Sequence, residues 1–523
     1  METSSAVDYA SMDGQPDRRT FLKLAGGGAA LGAVARASTN LEAQPVRSAT
    51  ADRSDDLCFR SARDLAALIQ RKEVSAREVM AAHLDRINRV NPSINAIVAK
   101  LDDDRCLALA AAADQIAAKG GPLGPLHGLP IAFKDLQPAV GFPYTRGSTV
   151  YRNAMPTEDS VLVERLRKAG AIPIGKTNTP EFGMGSHTYN KVYGITRNPF
   201  DRSKSAGGSS GGAGAALAAG MLPIADGSDN AGSLRNPGNF NNIVGMRPTV
   251  GLVPSYPSTL PLMGFAVNGP MARTVPDTAF LLSVMAGRDI RDPGSVPSDP
   301  SVFRGPLNRA FKGTRVAWCP DLGGLPLDPR VRATLAAQRK TFEALGCIVD
   351  DANPDLTDAE SIFLTMRGLR SAATYGSLLT SDRDQLKPEA IGEIEAGLAL
   401  SSGEVARAMV RHGQLLDRMR RFQETYEFIV CAVNQLPPFD ATLDWPKEID
   451  GVKMEHYIAW MKSAYWITAT FRPAISVPAG FTNDGLPVGV QIVGRHHADF
   501  SVFQLAYAFE QETRIGQRRP PTA

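Results

Sequence analysis

Several things are scarce in this 523-residue chain, and each scarcity removes a class of function. Cysteine occurs five times, at Cys58, Cys106, Cys319, Cys347 and Cys431, an odd and scattered set with no CxxC. That pattern supports neither a disulfide framework nor a zinc site. Seven histidines show no HExxH-like spacing, so no metal is implied, and nothing in the chain calls for a cofactor. Net charge is only +3, with no long basic block beyond the N-terminus, which argues against nucleic acid as the main partner. Internal repeats and long linkers are also missing, which favours one compact domain over two. The remaining composition, 43% hydrophobic and 21% charged, is that of an ordinary globular protein.

Small residues, by contrast, are concentrated between Ser205 and Pro237. Two Gly/Ser loops, Gly207–Gly212 and Gly227–Ser233, flank a run from Ala213 to Gly220 that reads as a tightly packed helix. Loops of this kind bring backbones close and can aim several N–H groups at one point, which is what an oxyanion or a phosphate requires. A flexible linker would not enclose an apolar helix and then an Arg-Asn-Pro turn.

Around this stretch the pattern alternates strand and helix. Ser61–Lys72 has helical periodicity, and Ser75-Ala76-Arg77-Glu78 reads as a capping box opening a second helix that Asn91-Pro92 should end. A third helix is expected near Arg105–Lys119. Short apolar strands follow at Gly128–Asp135, with Lys134 at its end, and at Ala171–Gly175, separated by a helix at Asp159–Ala169. Further strands are expected at Thr314–Cys319, Cys347–Asp350 and Phe428–Val433, with a helix at Arg330–Leu345. Asn483-Asp484-Gly485 marks a hairpin between Ala474–Gly480 and Val488–Val493. The span from about 355 to 425 reads as a mainly helical insert shaping substrate access. The fold class is therefore α/β, a single large mixed twisted sheet covered by helices on both faces.

Gly207-Gly208-Ser209-Ser210-Gly211-Gly212 and Gly227-Ser228-Asp229-Asn230-Ala231-Gly232-Ser233-Leu234-Arg235-Asn236-Pro237 resemble the two elements of the amidase-signature hydrolases. The resemblance runs from about Leu65 to Thr513 and departs from the usual pattern at Ala231, where glycine is the rule. It implies hydrolysis of carboxylic amides, with esters, anilides or carbamates as further substrates, by a Ser-Ser-Lys triad. Ser233 would be the nucleophile, Ser209 (on a cis peptide) the bridge, and Lys134 the base. A serine hydroxyl needs such a base, and a buried lysine can be neutral enough to serve. Backbone N–H groups of Asn230, Ala231, Gly232 and Ser233 would form the oxyanion hole, provided that φ at Ala231 is negative. Phe182, Met184, Tyr144 and Tyr189 are candidate substrate-lining groups. Asp229 and Arg235 read as structural supports, and no histidine is required. A homodimer is open. The same signature occurs in the glutaminase-like subunit of tRNA amidotransferases, which stays as an alternative.

The N-terminus carries Asp17-Arg18-Arg19-Thr20-Phe21-Leu22-Lys23 ahead of a weakly apolar, glycine-rich run from Leu24 to Val34. Twin arginines before such a run resemble a Tat export signal, and the run is too short to span a membrane. Residues 1–43 are expected to be signal and leader, 44–58 a disordered linker, and 59–520 the catalytic domain. The Tat translocase would then be a partner during export to the periplasm or beyond.

One competing motif is present. Gly170-Ala171-Ile172-Pro173-Ile174-Gly175-Lys176-Thr177 matches the P-loop pattern G-x-x-x-x-G-K-T. Its intervening residues are apolar, Pro173 lacks an N–H, and Pro180 follows too soon for a helix, so a buried strand is expected in place of a nucleotide site.

Overall fold

The computed structural model describes residues 55–521. The expected export signal and most of the expected linker lie outside the described residues. Residues 55–59 are helical and Cys58 is buried, so the folded body begins before the expected boundary at 59.

Eight strands form one mixed sheet in the order Ile348–Asp351, Arg315–Trp318, Phe428–Ala432, Pro487–Val493, Ala474–Phe481, Val244–Arg247, Val267–Ala272, Ile224–Asp229. The first three are mutually parallel and the remaining pairings are antiparallel. Side chains alternate between faces along a strand, and here the alternation divides the interior in two. Phe428, Val430 and Ala432 pack into one core, while Ile429 and Cys431 enter the other. The first core is closed by helices that include Ala76–Ile94, Gly211–Ala218 and Asp499–Thr513. The second is closed by Ala359–Tyr375, Ser402–Thr425 and Lys462–Ala469. A sheet buried on both faces explains the unbroken apolar runs in its strands.

Three further strands, Ile97–Val98, Ile172–Thr177 and Pro130–Lys134, make a short sheet of their own against the Ile224–Asp229 edge. Ile172–Thr177 contains most of the P-loop match. Lys176 is fully buried there, its Nζ 2.5 Å from the Gln137 carbonyl and 3.6 Å from Asp135, so no phosphate cradle forms.

The capping box forms as expected: Ser75 Oγ accepts from the Glu78 N–H, and the Glu78 carboxylate accepts from the Ser75 N–H. The helix it opens does not stop at Pro92. It continues to Ile94, with Asn95 in the left-handed region closing it. Pro92 is exposed, so the carbonyl that its missing N–H would have served can turn to water. The expected helix Arg330–Leu345 is broken into Pro329–Ala336 and Arg339–Ala344. Between 355 and 425 the structure has helices and no strand, the longest being Ala359–Tyr375 and Ser402–Thr425.

Candidate active site

The two Gly/Ser loops meet at the edge of the large sheet. Gly207–Gly212 leads into the helix Gly211–Ala218, and the Gly208–Ser209 peptide is cis. Ser186 Oγ donates to the Gly208 carbonyl, and Thr188 Oγ1 donates to that of Gly207 at 2.8 Å. A Cβ at Gly212 would come within 2.3 Å of the Asn178 nitrogen, so only glycine allows this approach.

Lys134 ends its strand fully buried beneath the loops. Its Nζ is 2.8 Å from Ser209 Oγ, 2.9 Å from Ser210 Oγ and 3.0 Å from Ser228 Oγ. Burial pushes the ammonium down to about 7, against the opposing charges of Asp226 and Asp229. Asp226 accepts the Lys134 backbone N–H, fixing the end of the strand, and burial raises its own carboxyl to about 6.

Ser233 and Ser209 both line one cavity of about 720 Å³ together with Asn230 and Ser228. Among the described residues no hydrogen bond joins the hydroxyls of Ser209 and Ser233; the Ser210 N–H instead donates to the Ser233 carbonyl at 3.2 Å. The second loop is anchored by Asp229, whose carboxylate accepts from the Gly232 and Leu234 N–H groups, from Arg235 Nε and Nη2, and from Arg247 Nη1. Burial alone would raise this carboxyl, but the Arg235 and Arg247 guanidiniums hold it well below the usual carboxylate range.

Because Asp229 takes the Gly232 N–H, Gly232 drops out of the expected set of oxyanion donors. The N–H groups of Asn230, Ala231 and Ser233 have no acceptor among the described residues. Ala231 avoids positive φ, and the left-handed turn falls on Gly232 at 99°. The methyl group at 231 therefore imposes no backbone strain on the loop.

Of the candidate substrate-lining groups, Phe182, Met184 and Tyr144 line the cavity. Tyr189 does not: it packs on His187, centroid to centroid 4.9 Å, outside this space. His187 bonds Ser205 and the Ala441 carbonyl, and His127 bonds the Ala113 carbonyl; neither lines the cavity. Burial lowers His187 to about 4. No group of three or more potential metal ligands occurs among the described residues. No described helix is long and apolar enough to cross a membrane.

Sequence reasoning missed Ser210 and Ser228 as partners of Lys134, although both neighbour residues it had singled out. It also missed the arginines of the cavity, Arg146, Arg367 and Arg370.

A family model described as "Amidase" matches residues 78–503. The chain belongs to the amidase signature family. An acylamidase from Rhodococcus erythropolis is 36% identical over 89% of this chain and 98% of its own length. A glutamyl-tRNA(Gln) amidotransferase subunit of Alkaliphilus metalliredigens is 33% identical over 86% of this chain and 95% of its own. Among solved structures, a bacterial aryl acylamidase of the amidase signature enzymes superposes with a TM-score of 0.81 at 27% identity, covering 88% of this chain and 99% of that one. This amidase is an amidohydrolase whose catalytic fold extends over most of the chain.

Proposed function

We propose that the amidase cleaves linear carboxylic amides, and with the same groups esters, anilides or carbamates, through an acyl-enzyme on Ser233. The observation that carries this reading is the buried Lys134 amine 2.8 Å from the Oγ of Ser209, a residue that lines the same cavity as Ser233. A lysine lowered to about 7 is partly neutral at physiological pH and can accept a proton. Ser233 Oγ attacks the carbonyl carbon while its proton passes to Ser209 and the Ser209 proton passes to Lys134. The N–H groups of Asn230, Ala231 and Ser233 receive the developing oxyanion. Collapse breaks the C–N bond, and the proton returns through Ser209 to the leaving nitrogen. Water, deprotonated by the same pair, then attacks the acyl-enzyme and releases the acid.

The partner in this reading is a small-molecule amide, with no part for nucleic acid or for insertion in a membrane. The twin arginines Arg18-Arg19 support delivery by the Tat translocase to the periplasm or outside the cell. Such a location separates this enzyme from the amidotransferase component, which must work where charged tRNA is made. The test is a hydrolysis screen over aliphatic amides, anilides, peptide amides and carbamates, with Ser233→Ala as control. At least one class should be turned over in a Ser233-dependent manner. Turnover unaffected by the substitution would remove the assignment.

A further inference from the structure

The cavity beside Ser233 holds two guanidiniums that form no ion pair with a carboxylate of the described residues. Arg370 lies on the helix Ala359–Tyr375, which presents Arg367, Arg370, Ser371, Thr374 and Tyr375 to the cavity from one face, at i, i+3, i+4, i+7 and i+8. Arg367 is paired already: its Nε donates to Glu393 at 2.8 Å and its Nη2 to the Tyr457 hydroxyl at 2.8 Å. Glu393 is spent as well, since Arg367, Ser371 and Tyr457 all donate to it. Arg370 is half-buried, and no ion pair to it occurs among the described residues; Glu393 acts on its charge only from a distance. Across the wall, Arg146 lies over the rings of Tyr144 and Tyr151, 4.5 and 4.6 Å from their centroids, and its buried Nε has no partner.

The acidic groups near this pair do not neutralise it. Asp292 accepts the Ser255 and Gly294 N–H groups, one on each oxygen, and Glu158 is an exposed residue of the cavity lining without an ion pair among the described residues. Ring contacts connect the two arginines along the cavity wall: Tyr151, under Arg146, meets the Phe182 ring edge-on at 6.2 Å, and Phe182 stacks at 4.3 Å on Tyr375 of the helix that carries Arg370. Withdrawing a guanidinium from water without an anion to meet it costs free energy, which a bound anion would recover. The planar fork of a guanidinium matches a carboxylate in particular.

We propose that the substrate of this amidase carries a carboxylate remote from its scissile amide, held by Arg370 and Arg146 beside the Phe182–Tyr375 stack. This rests on the Ser233 reading above and adds the substrate class to it. A cavity of about 720 Å³ has room for an acyl group, an amine and a terminal carboxylate together.

Two matched pairs of substrates test the proposal and separate the acyl side from the amine side. Glutaryl 4-nitroanilide is compared with butyryl 4-nitroanilide, and N-butyryl-4-aminobenzoate with butyranilide. In one pair the carboxylate member should have kcat/KM about ten-fold or more above its neutral partner, as charge-assisted hydrogen bonds would give. That ratio should collapse in Arg370→Gln. In Arg370→Glu it should invert in favour of the cationic 4-aminobutyryl 4-nitroanilide, which a merely structural arginine would not produce. Glutarate should inhibit hydrolysis of the neutral anilide competitively in the wild-type enzyme, a reading that needs no variant to fold. Equal or better cleavage of the neutral member in both pairs, without inhibition by glutarate, would overturn the proposal while leaving the Ser233 chemistry in place. Cleavage surviving Ser233→Ala would instead overturn the reading on which the proposal rests.

Discussion

Lys134 Nζ and Ser209 Oγ lie 2.8 Å apart, and among the described residues no carboxylate is bonded to that amine. Its other close partners are the hydroxyls of Ser210 and Ser228. A buried amine surrounded by hydroxyls has its charged form penalised by desolvation and only weakly restored. This is a better environment for a base than for an ion pair.

The pH dependence follows from that setting. The Lys134 value is lowered to about 7 by burial, so the competent neutral form accumulates as pH rises through that value. With a neutral amide, kcat/KM should rise across a limb near pH 7 and level off above it. Lys134→Ala should cost about two to four orders of magnitude in acylation. Lys134→Arg should fare no better, because guanidinium keeps its proton. A pH–rate profile of each variant checks this, and a fully active Lys134→Ala would contradict it.

Asp229 should matter for the fold before it matters for the reaction. Replacing it by alanine leaves Arg235 and Arg247 buried without their counter-charge. Loss of one partner from such a cluster costs about 3–5 kcal/mol, to be read as a lowered urea midpoint. An unchanged midpoint would show that the two arginines find other acceptors.

The oxyanion loop separates two neighbouring residues. Ala231→Gly should leave kcat nearly unaltered, since φ at 231 already suits an L-residue. Gly232→Ala should fail to give folded enzyme: its Cβ would lie 2.5 Å from that of Ala464, at a φ of 99°. Soluble yield, circular dichroism and kcat of the two variants distinguish these outcomes.

Export is checked in a Tat-competent host by fractionation. The wild-type chain should appear outside the cytosol without its first few tens of residues. Arg18-Arg19→Lys-Lys should keep it inside and intact. Equal distribution of the two would remove the export proposal.

Features set by near neighbours in the chain were legible in the sequence. The Ser75–Glu78 capping box, the turn at Asn483-Asp484-Gly485 and the two Gly/Ser loops depend on residues a few positions apart. Family resemblance, which carries long-range information that periodicity does not, singled out Lys134, Ser209 and Ser233; the first two lie 2.8 Å apart, and both serines line one cavity. What escaped was set by tertiary placement. Pro92 continues its helix because it sits on an exposed face. Gly232 loses its donor because the Asp229 carboxylate folds back on it. Tyr189 leaves the cavity to pack on His187. Arg146 and Arg370 meet around one pocket from distant parts of the chain, and no local pattern signals that.

The acyl-enzyme itself gives the most direct test. The enzyme is quenched in acid during turnover of a slowly deacylated 4-nitrophenyl ester or anilide, digested, and its peptides are weighed by mass spectrometry. The expected result is the mass of one acyl group on the peptide containing Ser233, lost in Ser233→Ala and slow to form in Lys134→Ala. An acyl group on another residue, or turnover by Ser233→Ala at the wild-type rate with no adduct at all, would contradict the account.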